Sequence, residues 1–458
     1  MQVNRTSGGR RVQAPLDKQL KPLRNMSLLV LVIKIFILIR ITPLTEWTYQ
    51  GHMWLGADGE NYLQGVKALS RDGLFSNQSI LYAWPAGYPV FIYLFGIFGK
   101  ANALTFVGLF QSAIFSYAVY AFGKQILYTN LKKISKILVF LLLINPTLSL
   151  NSLAVGYESI TATGYIFILT LFLYYQRVEN LKSKRLSLLL IALTLSFISA
   201  LQPRLLVSGI FIAILLATKN RFKLKTIFKS AILILIILSM PLSLIVRNHV
   251  ATGLNVLSTN LGVTMNIGAG DDATGAYRGS WKGVPCVYNE SDSVKADSAQ
   301  VKCVLRWYIQ NPRKSAYLFW KKSEFFWSPW FGPKSVGTMA RNPWQQINPL
   351  KSVANNPNGF QLIYGNFGVL ISWLWMFLSF LSMIIGFRWL ITREKQLKQI
   401  GLISTFIIIP SWLISLVTLG DNRFRLPIMG CTIFLQLIGL KSVFDKQFRF
   451  LGKISHKN

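Results

Sequence analysis

The feature that most constrains this chain is a repeated alternation of long apolar runs with short basic clusters. Hydrophobic residues make up 52% of its 458 residues and charged residues only 14%. That balance is wrong for a soluble enzyme and right for a chain that crosses a bilayer many times. In hydrocarbon every backbone N–H and C=O needs an internal partner, so the runs are expected to be α-helices. Net charge is +33. The basic residues fall between apolar runs rather than on a folded soluble patch. They therefore mark membrane topology, and nucleic-acid binding is not expected.

The clusters also orient the runs. Arg5, Arg10, Arg11, Lys18, Lys21 and Arg24 precede the first run, near 26–43, which places the N-terminus in the cytoplasm. Runs near 103–123, 137–150, 160–176, 186–201, 205–218, 230–246, 366–387, 399–419 and 426–443 bring the expected count to ten. Residues 88–98 are apolar but too short to cross, since a span needs roughly 20 residues. With that segment left in the outer interface, every later basic cluster falls inside. No cleavable signal is expected, because the first run lacks a small-residue cleavage motif. The expected division is a basic tail (1–25), a transmembrane module (26–247) with a first outer loop at 45–102, an extracytoplasmic loop region (248–360), C-terminal transmembrane helices (361–443) and a second basic, cytoplasmic tail (444–458).

Chemistry concentrates at the outer ends of the spans. Asp58, Glu60, Glu158 and Asp421 are acids there; Arg204, Arg247, Arg278, Arg423 and Arg425 are bases. A carboxylate at a lipid boundary loses solvation and becomes a candidate general base. Asp58 is equally placed to cap the amphipathic segment that follows it, in which Tyr62, Val66 and Leu69 recur at helical spacing. Asp58 and Tyr62 then share one side of that helix. The arginines could bind a phosphate head group, or snorkel to lipid phosphates and fix span depth. Lys34, inside the first run, reads as a snorkelling residue.

The rest of the outer surface is less specific. Asn260 to Gly270 reads as irregular, turn-rich backbone, and Trp307 to Trp330 has helical spacing with aromatics that suit a headgroup-level anchor. Asn289-Glu290-Ser291 matches a glycan-acceptor pattern. Cys286 and Cys303 share the large loop and could be bonded or free. His52, His249 and His456 are isolated, so no protein-built zinc site is expected, and no glycine-rich phosphate loop is present. No cofactor is implied by these residues, and no ligand cluster supports a divalent metal.

Several segments, taken together, resemble a known family. Asp58-x-x-x-Tyr62, Ala68-Leu69, Gly73 and Pro85-Ala86-Gly87-Tyr88-Pro89 resemble the first outer loop of the membrane-embedded glycosyltransferases of the GT-C superfamily. The bacterial relatives of the protein O-mannosyltransferases and of the lipid A aminoarabinose transferase are the most similar in pattern. Arg247-Asn248, Gly253 and Ser258-Thr259-Asn260-x-Gly262 resemble the segment after their seventh span, and Arg423-Phe424-Arg425-Leu426-Pro427 their late arginine motif. The matches are loose and run in order over most of the chain. One departure matters: a metal-holding carboxylate of the aminoarabinose branch is replaced here by Ala86-Gly87, so no metal site carries over.

The resemblance implies a GT-C-like, all-α polytopic fold of about ten transmembrane helices. It implies transfer of a sugar from a polyprenyl-phosphate-linked donor, with inversion, at the extracytoplasmic face of a bacterial plasma membrane. Asp58 would be the general base, and Glu158, the acid of the second outer loop, would position Asp58 or the acceptor. Arg204, Arg247 and Arg423 would bind the donor phosphate, and Tyr62, Tyr88, Asn248 and Asn260 would position substrate. The acceptor stays open among a protein, a glycolipid and a cell-envelope polymer. The rival is a transporter or flippase of a lipid-linked anion, which should show internal repeats or mid-span charge pairs; neither is evident.

Overall fold

The computed structural model describes residues 9–56, 58–217, 224–277, 283–286, 292–327, 359–393 and 395–455. Arg278, Trp330 and the Asn289 pattern lie outside the described residues.

The chain is an all-α polytopic membrane protein. Among the described residues eight helices are long and apolar enough to cross a membrane: Lys18–Arg40, Lys100–Leu127, Glu158–Arg177, Leu181–Leu201, Ile227–Thr252, Trp373–Ile391, Gln396–Val417 and Asn422–Asp445. They coincide with eight of the ten expected runs. The run near 137–150 is instead a pair, Lys132–Ile144 and Pro146–Leu153, bent by 59°. Pro146 cannot continue the backbone ladder, and Asn145 restarts it by accepting the Leu148 N–H at 2.9 Å. The run near 205–218 gives a shorter helix, Pro203–Leu216, and residues 88–98 fall in another, Gly87–Phe98.

Burial separates central from peripheral helices. The apolar window of Glu158–Arg177 is 83% buried and that of Asn422–Asp445 is 72% buried, against 22% for Lys18–Arg40 and Trp373–Ile391. Peripheral helices show apolar side chains on their outside, among them Leu29, Val32, Phe36, Trp375 and Phe377, as suits helices facing lipid. Helix pairs close on small residues. Gly386, in Gly359–Ile391, would place a Cβ on the Leu435 carbonyl; Gly439, in Met429–Ser455, would place one on that of Ser382.

Two further expectations are corrected. Lys34 does not snorkel: it is fully buried, with Nζ 4.1 Å from the centre of the Phe115 ring, a cation–π contact to the neighbouring span. Residues 260–270 are not irregular throughout, because Leu261–Ile267 is helical. Its support is tertiary. The Asp297 carboxylate accepts the Gly262 N–H at 2.6 Å, and the Asn266 side chain pairs with both backbone polar groups of Cys286. Two further helices, Ser293–Gln310 and Pro312–Trp327, follow, and a Cys286–Cys303 disulfide ties the first of them to the preceding loop.

Candidate active site

Two short strands bring the key acids together. β1 (Trp54–Leu55) and β2 (Ala154–Val155) pair in parallel, with Leu55 opposite Val155. Asp58 and Glu158 each lie three residues beyond that matched pair, at the starts of the helices Gly59–Asp72 and Glu158–Arg177. The register thus delivers two carboxylates to one place. Glycine makes the close pairing possible. A Cβ on Gly56 would run into the Val155 carbonyl, and one on Gly156 into the Glu158 carboxylate.

Asp58 occupies the cap position of its helix, yet its side chain makes no capping hydrogen bond. Its Oδ2 forms an ion pair with Nη2 of Arg423 at 2.7 Å, while Nε of the same guanidinium pairs with Oε1 of Glu158. The side chains are 14% (Asp58), 5% (Glu158) and 7% (Arg423) exposed. Removing one partner from so desolvated a cluster leaves an uncompensated charge, at about 3–5 kcal/mol.

Arg423 is held from its own segment. Asp421 precedes the 3-10 stretch Asn422–Ile428, and its Oδ1 accepts the Arg423 backbone N–H at 2.8 Å. Asp421 is itself fully buried. Burial pushes its carboxyl up to about 7, and nearby Asp58 adds to the rise against the pull of Arg423 and Arg204. Nη1 of Arg423, Oδ2 of Asp421 and Nδ2 of Asn422 are buried with no hydrogen-bond partner among the described residues. They mark the polar groups here that a substrate could satisfy.

Aromatic rings wall the cluster. Tyr62 meets Trp84, Tyr88 and Tyr157 edge-on. The Tyr157 hydroxyl accepts from Gln202 at 2.9 Å and from Arg204 at 3.0 Å. Burial raises its pKa, so the phenol keeps its proton and remains a donor. Arg204 stacks 4.0 Å over the Phe424 ring. Tyr88 holds the second acidic turn: its hydroxyl accepts the Gly156 N–H at 2.9 Å and the Gln111 amide at 3.3 Å.

The other candidates have different neighbours. Arg247 donates to the backbone carbonyls of Leu74 and Ser76 and to Asn248 Oδ1. Asn248 also donates to the Val256 carbonyl at 2.8 Å. Asn260 precedes the Leu261–Ile267 helix, and its Oδ1 accepts from Ser258. The adjacent Thr259 N–H bonds to the Tyr82 carbonyl at 2.8 Å. These residues stitch the segment after the Ile227–Thr252 span to the first loop. Gly156 and Gln202 belong to the site without any motif that announces them; Phe424 lies inside the late arginine motif and Asp421 among the outer acids, but the sequence assigns neither a role. Among the described residues no group of three or more His, Cys, Asp or Glu could hold a metal ion. The acids face the Arg423 cation instead.

No protein-family model matches the chain. No curated protein matches it either. Two solved structures are similar. One is the archaeal oligosaccharyltransferase AglB from Archaeoglobus fulgidus in complex with an inhibitory peptide and a dolichol-phosphate, at 15% identity and a TM-score of 0.42. The other is the apo form of the oligosaccharyltransferase from the same organism, at 13% identity and a TM-score of 0.41. Each alignment covers 93% of this chain and 52% of that chain, so this chain spans about half the length of those structures. A likeness at this level assigns no activity to this chain.

Proposed function

We propose that this chain is an integral-membrane glycosyltransferase of GT-C type that moves a sugar from a polyprenyl-phosphate donor to an acceptor hydroxyl at the extracytoplasmic face. The observation that carries this reading is the clamp of Asp58 and Glu158 on one buried guanidinium, Arg423, at the loop ends of the two most buried spans. With Oδ2 of Asp58 held by Arg423, Oδ1 takes the proton of the acceptor hydroxyl. The acceptor oxygen then forms a bond to the anomeric carbon as the bond from that carbon to the phosphate oxygen breaks. The electron pair leaves on the lipid phosphate, and the configuration inverts. A phosphate needs no general acid to depart; it needs nearby positive charge. Arg204 and the unpartnered Nη1 of Arg423 supply it in this reading.

Glu158 fixes the orientation of Arg423, and Tyr62 and Tyr88 hold the helix and the turn that carry the acids. Arg247, Asn248 and Asn260 act by holding the first loop against the segment after the Ile227–Thr252 span. The basic clusters support cytoplasmic termini and an extracytoplasmic site.

The test is release of labelled sugar from a panel of polyprenyl-phosphate donors by the purified protein in liposomes. Transfer, or slow hydrolysis to free sugar, is the expected result. No turnover with any donor, together with donor crossing between leaflets, would replace the transferase with a flippase.

A further inference from the structure

At the end of the bundle opposite Arg423 lies a second site. A cavity of about 420 Å³ is lined by Asn130, Trp389, Arg393, Leu397, Lys441 and Asp445. It gathers the C-terminal end of Gly359–Ile391, the first turn of Lys395–Val417, the later turns of Met429–Ser455 and the turn after Ala103–Leu127. Lys441 stands twelve residues beyond Met429, roughly 18 Å along the helix. The cavity is therefore separate from the catalytic cluster.

We propose that this cavity binds a phosphate group, supplied by the headgroup of an anionic phospholipid. Two cations address one indole: the Arg393 guanidinium lies 4.5 Å from the Trp389 ring centre and the Lys441 ammonium 5.8 Å from it. The ring holds both charges at the cavity without neutralising them. Among the described residues no carboxylate pairs with Arg393. Lys441 pairs with Asp445, but that carboxylate is 53% exposed, so the pair is weak and open to a competing anion. A phosphate can take two parallel hydrogen bonds from the arginine and a third from the lysine.

The surroundings select a lipid over a free anion. Leu440, Val443 and Phe444 are exposed apolar side chains on the helix that carries Lys441 and Asp445. They offer a surface for an acyl chain beside the headgroup cavity. Lys132 and Lys133 follow the Asn130 turn and add positive field. Basic pockets between span ends hold anionic headgroups in this manner. The inference does not depend on the reading of the catalytic end.

The experiment is native mass spectrometry of the whole protein in mild detergent, titrated separately with phosphatidylglycerol and phosphatidylcholine. Phosphatidylglycerol should be retained in preference, and the Arg393→Gln/Lys441→Gln double variant should weaken it roughly tenfold or more. Asp445→Asn removes the competing acid and should shift retention the opposite way, which a folding defect would not do. Lys184→Gln/Arg185→Gln, basic residues outside the cavity, should change nothing. Equal retention of both lipids, or no change in the double variant, would overturn the proposal. Full displacement of the lipid by glycerol 3-phosphate would make this a soluble-phosphate site and overturn the lipid assignment.

Discussion

Asp58 stands where a capping residue stands and does not cap; its carboxylate turns to Arg423. Whether an acid before an amphipathic run caps its helix is decided by the partner it finds, and that partner lies far away in sequence. Glu158 and Arg423 are 265 residues apart. Each charge was visible in the sequence at the end of an apolar run, but their pairing was not. Arg204 and Arg247 show the same limit: the sequence offers both as phosphate ligands, while packing gives one a tyrosine and the other loop carbonyls. Arg204→Gln should raise the KM for donor roughly 10–100-fold, the weight of a hydrogen bond to a charged group, with a smaller change in kcat, as donor titration would show. Asp421 gives a pH signature. Its carboxyl lies at about 7 in the fold against an ordinary 3.8, so the native state holds a proton that the unfolded chain releases. Its contribution to stability is complete below about pH 4 and is lost as pH rises toward 7. Melting temperature should fall over that window, and Asp421→Asn should flatten the fall; an unchanged profile in the variant would remove Asp421 as its source.

The two-residue strands β1 and β2 are the elements on which the site depends, and they are too short to carry a sequence pattern. Their register, Gly56, which lets them approach, and Gly156, which leaves room for the Glu158 carboxylate, set the placement of the acids. Gly156→Ala should displace Glu158 and lower turnover about as far as loss of Glu158 itself, with donor affinity less affected; wild-type turnover in this variant would refute the tight fit. The helix Leu261–Ile267 escaped a local reading because its supports, Asp297 and the Cys286 backbone, come from elsewhere in the chain. Lys322 is a further case. It is fully buried, and its Nζ donates to the Tyr308 hydroxyl at 2.7 Å, the Leu416 carbonyl at 2.9 Å and the Thr418 carbonyl at 2.7 Å. It therefore terminates the Lys395–Val417 helix, just before Asp421 and Arg423. Lys322→Met leaves those acceptors without a donor and should destabilise the protein by about 2–4 kcal/mol, measured as a lower thermal midpoint in detergent.

At the scale of the whole molecule the sequence was most informative, because hydrocarbon admits few ways to satisfy a backbone. Apolar runs and basic clusters gave the helical, polytopic architecture and eight of its long spans. The bend at Pro146 and the short Pro203–Leu216 helix depend on local breaks that composition averages away. Reduction of the Cys286–Cys303 bond should lower stability by about 3 kcal/mol, given a sequence separation of 17; an unchanged melting curve with reductant would argue against a structural role. The account as a whole rests on Asp58 as the base of a sugar transfer at a lipid phosphate. Its most direct test is turnover and donor binding measured side by side for the wild type and Asp58→Asn in liposomes. The account predicts that the variant loses about 10²–10⁴-fold in sugar release while its donor affinity stays within a few-fold of wild type. Near-normal release by Asp58→Asn would contradict it.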